Sequence, residues 1–251
     1  MKLKRFFYAL GGYYRLCFLG TIGFFQKPLY VQEIVEQMNY SGPGSLIIAL
    51  ITTFVIGMAL SIQVLNQFEG LGLESEVGRV IGVSVIREIV PITLGLIFAG
   101  RVGSGISAEM AGMVQRQQID TLQAFGVNPY KKLVTPRIAS ALLMLPSLTF
   151  IGDFSAIYGG FIITSYQYHT DPAMYWSSIR SILNLKNTVF GVVKPFVFGY
   201  IIATISCYVG LTSQGGSSGL KRSATQAYVL STVIVMITDF LITKIIWIFM
   251  P

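Results

Sequence analysis

Apolar residues run through this chain in five long blocks, near positions 46–68, 77–100, 138–166, 189–212 and 224–249. Each can cross a bilayer as a helix, for which roughly 20 residues suffice. The polar segments between them are short, with one exception. Residues 99–137, AGRVGSGISAEMAGMVQRQQIDTLQAFGVNPYKKLVTPR, form a long polar interruption with a helical rhythm and a proline near its end. At about 100° per residue, Glu109, Met113, Arg116, Asp120 and Gln123 share one narrow face, with Gln117 beside them. Met110, Ala111, Val114, Leu122 and Phe125 fill the opposite arc, which only Gln118 interrupts. Gly126 stands where a C-terminal cap belongs, and Asn128-Pro129 opens a turn. The pattern predicts one amphipathic helix of about five turns at the membrane surface. A helix resting on headgroups usually carries Lys or Arg on its polar face. Two acids and one base stand here instead, a face suited to meeting protein.

Ahead of the first span, residues 3–26 mix aromatic, aliphatic and basic side chains, with Gly11-Gly12 breaking the run. This predicts an interfacial helix or helix pair rather than a sixth span, because Arg15 would otherwise lie near mid-bilayer. A second short amphipathic piece follows at 29–40, ending at the turn Ser41-Gly42-Pro43-Gly44. No compact apolar core followed by a small-residue cleavage site marks a removable signal. The reading is an all-α integral membrane protein of one domain over 1–251, with an interfacial N-terminal segment at 1–44 and a transmembrane bundle at 45–251.

Composition agrees. Of the 251 residues 53% are hydrophobic and 12% charged, half the charged share of an ordinary soluble domain. The net charge of +7 would suit nucleic acid, but its distribution does not. Lys2, Lys4, Arg5, Arg15 and Lys27 precede the first span; Arg101, Arg116, Lys131, Lys132 and Arg137 separate the second and third; Lys221 and Arg222 separate the fourth and fifth. Glu69, Glu74 and Glu76 oppose Arg79 between the first two spans. The positive-inside rule then places the N-terminus and the 99–137 segment in the cytoplasm and the C-terminus outside. Arg180, Lys186 and Lys194 dissent mildly, Lys194 from the edge of the fourth span.

Charges inside spans narrow the function further. The second span holds Arg87 and Glu88, and Pro91 three residues after Glu88 predicts a kink with a free carbonyl at Arg87. Intramembrane charges face a bundle interior or a wet cavity. Arg87, Glu88 and Pro91 are therefore candidates for a substrate path, with Leu94, Ile97 and Phe98 as its apolar wall. Asp153, Asp239 and Lys244 are weaker cases, Lys244 being within snorkelling reach of the interface. Small residues at Gly78 and Gly82, and at Ser155, Ala156, Gly159 and Gly160, predict close helix packing in a bundle or a dimer. Cys17 and Cys207 read as separate free thiols. Catalytic chemistry lacks parts. His169 is the one histidine, and GGSSGLKRS at 215–223 departs from a phosphate-binding loop because Leu220 separates Gly219 from Lys221. The chain is expected to be no enzyme and to hold no metal or cofactor; a partner must supply the energy for any work.

The stretch from Ser84 to Ser140 resembles the hallmark region of the MlaE (YrbE-type) permeases. The family's succession R-E-L-x-P, A-G-R-x-G, A-E-x-G-x-M, Q-I-D, G-V-x-P and P-R is met by Arg87, Glu88, Pro91, Ala99, Gly100, Arg101, Gly103, Ala108, Glu109, Gly112, Met113, Gln118, Ile119, Asp120, Gly126, Val127, Pro129, Pro136 and Arg137. The segment GGSSGLKRSATQAYVLSTVIVMITDFLIT is similar to the family's last block, and the likeness spans about 45–249. Gln117 replaces the family's Glu, and Gln226 the second Thr of its A-T-T.

The resemblance implies an ABC-type permease in the bacterial inner membrane, working as a homodimer with two ATPase subunits that bind the ATP. It also implies an MCE-domain partner outside and phospholipids, or related lipids, as cargo moved between membranes. It makes the 99–137 helix the coupling helix that meets the ATPase, through Glu109, Met113, Arg116, Gln117, Asp120 and Gln123. Two other functions compete: an ion-coupled secondary transporter with Arg87, Glu88, Asp153 and Asp239 as a relay, and a membrane scaffold. No internal repeat favours the first.

Overall fold

The computed structural model describes residues 2–68, 76–168, 171–183 and 185–249. His169, Glu69 and Glu74 lie outside these residues. Every element of regular structure among the described residues is helical. In chain order they are α1 (Lys2–Ile22), α2 (Val31–Ser41), α3 (Pro43–Phe68), α4 (Val77–Ser84), α5 (Val90–Phe98), α6 (Ser104–Gln115), α7 (Gln118–Ala124), α8 (Thr135–Ile162), α9 (Pro172–Ile182), α10 (Leu185–Leu211) and α11 (Gly216–Phe249).

Several of these join end to end. Widened π-helical turns at Val85–Ile89 and Ala99–Gly103 weld α4, α5 and α6 into one run, and similar turns extend α8 at both ends. Five helical runs among the described residues are long and apolar enough to span: Val31–Phe68, Val77–Gln115, Tyr130–Gln167, Gly191–Leu211 and Gly216–Ile246. They coincide with the five apolar blocks, although all but Gly191–Leu211 are considerably longer than a bilayer needs.

Small residues set how closely these helices approach. Gly57 of α3 lies against the carbonyl of Ala156, and Gly159 of α8 against that of Phe54, so neither position has room for a Cβ. The backbones of α3 and α8 therefore meet directly, the arrangement that packing without a hydrophobic driving force favours in lipid. The 78/82 pair has a different partner from a neighbouring span. Gly78 abuts Tyr175 and Ser178, and Gly82 abuts Ile179 and Ile182, so the pair seats α9 on α4. The core itself is held by α4, α5, α8 and α10, with Ile81, Val85, Leu94, Phe98, Ile138, Leu145, Phe198 and Ile202 sealed inside.

Three local expectations are corrected. Gly11-Gly12 does not break α1, which runs unbroken over Lys2–Ile22. Tyr13 shares a hydrogen bond with Thr204 at 2.9 Å and Thr135 donates to the Gly20 carbonyl at 2.9 Å, so α10 and α8 brace the helix beyond the glycines. The turn at Ser41–Gly44 is only a bend: Gly42 N–H still reaches the Met38 carbonyl, and Pro43 starts α3. Most important, the single helix of about five turns expected within 99–137 is two helices. The chain breaks at Arg116, and Gln117 adopts a left-handed conformation with φ 56° before α7 begins.

Candidate functional site

The densest chemistry inside the spans gathers on Lys194 of α10. Its ammonium is 2.6 Å from Glu88 Oε2 and 2.9 Å from Asp239 Oδ1 of α11. Thr243, one turn beyond Asp239, donates to both oxygens of Glu88 at 3.0 and 3.3 Å. A lysine sealed in a membrane span is costly unless acids attend it; here two do. The cluster is lopsided. The Lys194 side chain is 1% exposed and that of Asp239 12%, whereas Glu88 remains 41% exposed. One carboxylate thus opens from a neutralised core at the level of a span, a place where a polar group of a substrate can be met without uncovering the cation.

Local backbone puts Glu88 there. Pro91 cannot donate to the carbonyl four residues before it, and the preceding turn widens into a π-helical one in which Val90 N–H reaches Val85 O. The kink expected from Pro91 takes the form of this widened turn. Arg87 is half-buried beside Glu88. Leu94 and Phe98 do not line an opening: both are sealed in the core, where Gly152 packs on Leu94 and Ile202 and Phe198 surround the same layer. Pro91 is buried with them, and Ile97 alone of the expected apolar wall is half-buried. Of the residues expected to line a path, Arg87, Glu88 and Ile97 remain partly exposed, and Pro91, Leu94 and Phe98 do not.

Lys194 and Thr243 were not singled out from sequence. Lys194 counted as a charge at the edge of a span, although an acid in span two and another in span five at matching depth would call for a cation between them. Asp239 belongs to the cluster through Lys194, whereas Lys244 is exposed.

The other end of the bundle carries the expected partner-facing segment. Glu109 does not project free: its carboxylate is 2.7 Å from Arg137 Nη2, and the buried Arg137 also donates to the Leu133 carbonyl at 2.6 Å. This pair ties α6 to α8. Arg101 Nη1 donates to Ser45 Oγ at 2.8 Å, tying the same run to α3. Met113 is half-buried against the core. The break at Arg116-Gln117 then turns α7 outward, and Arg116, Gln117, Asp120 and Gln123 are all exposed. Phe125 is 80% exposed while Ile119 and Leu122 rest partly on the core. Glu109 and Met113 are therefore anchors, and the elbow from Arg116 to Phe125 is the free surface. The end of α7 is capped as expected: Gly126 takes φ 75°, its N–H bonds to Gln123 O, and Val127 N–H reaches Leu122 O. Asn128 Oδ1 accepts from Tyr130 N–H and fixes the turn that follows.

Sequence comparison adds to this geometry. The family described as Permease MlaE matches residues 34–245. A probable ABC transporter permease of Rickettsia typhi is 35% identical over 97% of this chain and 94% of its own length. One from Synechocystis is 37% identical over 84% of this chain and 81% of its own. The Arabidopsis thaliana chloroplast protein named Trigalactosyldiacylglycerol 1 is 33% identical over 86% of this chain and 62% of its own.

Proposed function

This chain belongs to the MlaE permease family, and on that footing we propose that it moves phospholipids, or chemically related lipids, between the inner and outer membranes. It is a multi-pass membrane permease of the ABC type, which implies an ATPase partner. In the proposed mechanism the permease acts as a homodimer, with cytoplasmic ATPase subunits on its α7 end and an MCE-domain protein at the opposite end. ATP is bound and hydrolysed by the ATPase, and this chain contributes no catalytic group.

One observation carries the lipid reading: the half-open Glu88 carboxylate, held at the level of a span by the sealed Lys194 and by Thr243. A hydrophilic substrate would need a continuous polar path, whereas a lipid needs apolar surroundings with a few polar groups for its head. The Arabidopsis relative bears the name of a galactolipid, which supports the same substrate class. The elbow supports the ATPase contact: an exposed aromatic beside mixed charges is the composition of a protein-binding surface. The ion-relay alternative is not favoured, because Asp153 stands outside the Glu88–Lys194–Asp239 cluster.

The test is isolation of the tagged permease from its native membrane under mild detergent, with mass spectrometry of both protein and lipid. The proposal requires an ATPase, an MCE-domain protein and stoichiometric lipid. Recovery of the permease with an ATPase and a water-soluble substrate, and no lipid, would refute it.

A further inference from the structure

Ile86 lies two positions before Glu88 and so on the opposite side of the second span. There it lines a cavity of about 310 Å³ between α8, α9 and the start of α10. Phe150, Ile157 and Trp176 continue its apolar wall, and among the described residues two charged side chains line it, Asp153 and Arg180. Asp153 Oδ1 is buried and has no hydrogen-bond partner among the described residues. Buried polar atoms ordinarily have a partner in protein, water or ligand, and among the described residues none fills that role for Asp153. Arg180, in the last turn of α9, is exposed. Trp176 packs edge-on to Tyr175 and tilted against Phe161, an aromatic cluster of the kind that marks a membrane–water interface. Phe150 and Phe154, in edge-to-face contact at 4.9 Å, are exposed on the outer face of α8. The cavity therefore opens sideways toward lipid rather than into the cluster around Lys194.

We propose that this cavity is a lateral lipid site that takes one acyl chain of an anionic membrane lipid, with Arg180 at its mouth holding the phosphate. Asp153 supplies a hydrogen-bond acceptor inside, for a hydroxyl of the lipid's glycerol or headgroup to donate to. The volume sets the occupant. A helix about 10 Å across displaces roughly 120 Å³ per residue of rise, so a partner's helix would fit for less than one turn. Part of a single chain fits, the rest lying along the exposed aromatic face of α8, and a guanidinium beside an apolar slot complements an anionic head. The site is separate from the path at Glu88 and does not depend on it.

The test uses the full-length permease with its ATPase in lipid nanodiscs containing an anionic phospholipid that carries a photoreactive diazirine in its acyl chain. After irradiation, adducts are mapped on Ile86 and Ile157, which are buried and line the cavity. The wild type is expected to be labelled there. Val192→Trp, which fills the cavity from α10, is expected to abolish these adducts. Arg180→Gln, a surface change, is expected to lower them about fivefold for the anionic probe and to leave labelling by an uncharged diacylglycerol probe unaltered. Absence of adducts in the wild type, equal labelling of the wild type and Arg180→Gln by the anionic probe, or cross-links from a partner's helix in place of lipid would each overturn the proposal.

Discussion

Lys194 Nζ lies 2.6 Å from Glu88 Oε2, across a sequence separation of 106 positions, and it is the more deeply buried of the two. The fourth span thus holds a cation that the second and fifth spans neutralise through Glu88 and Asp239. Lys194→Met leaves two carboxylates facing one another within the bundle. Removing one partner of a buried pair costs about 3–5 kcal/mol, and the partial exposure of Glu88 places this case at the low end. The expected outcome is a large fall in folded yield and in the thermal midpoint, read by size-exclusion and scanning fluorimetry. The triple change Lys194→Met, Glu88→Gln, Asp239→Asn is expected to recover most of the fold.

Arg137 holds Glu109 and the Leu133 carbonyl at once, through different nitrogens. A lysine has a single ammonium and lacks that fork. Arg137→Lys is therefore expected to destabilise the permease nearly as much as Arg137→Met does. Asp120→Asn, on the exposed face of α7, is expected to leave the thermal midpoint unchanged.

The elbow gives the converse pattern. Arg116→Glu and Phe125→Ala alter exposed side chains, so folded yield is expected to stay at the wild-type level. Capture of the ATPase by the purified permease is expected to drop about tenfold or more if these residues lie at the centre of the contact. Binding isotherms with the isolated ATPase check it; wild-type affinity in both variants would move the docking surface off α7.

Topology can be read with single cysteines on a background without Cys17 and Cys207. Gln117→Cys in the elbow and Ser177→Cys on α9 occupy opposite ends of the bundle. The distribution of basic residues requires that an impermeant maleimide added outside label position 177 and spare position 117. The reverse pattern would invert the orientation.

What could be read from sequence follows the range of the forces involved. The five spans were legible because their apolar length is a local property, and the cap at Gly126 because a positive φ there demands glycine or nearly so. The helix α9 left a local mark that went unused: Asp171 accepts from Ala173 N–H and Pro172 follows, an N-cap and first-turn proline together. The break at Gln117 left none, since the run Gln115-Arg116-Gln117-Gln118 favours helix and only tertiary placement of α7 overrides it. Glu88 and Asp239 were noticed as acids in apolar spans. That Lys194 joins them, and that Leu94 and Phe98 turn into the core, depends on which faces meet across a bundle.

The central claim is that the open carboxylate of Glu88 serves the lipid path and not the fold alone. The measurement is ATP-driven transfer of fluorescent phospholipid by the complete transporter in proteoliposomes, comparing wild type with Glu88→Gln. Glutamine preserves shape and can still accept from Thr243 and Lys194, so yield, oligomeric state and ATPase binding are expected to match the wild type. Lipid transfer is expected to fall at least about tenfold, the equivalent of about 1.4 kcal/mol in the limiting step. Full transfer by a well-folded Glu88→Gln transporter would contradict the account and leave the cluster as packing alone.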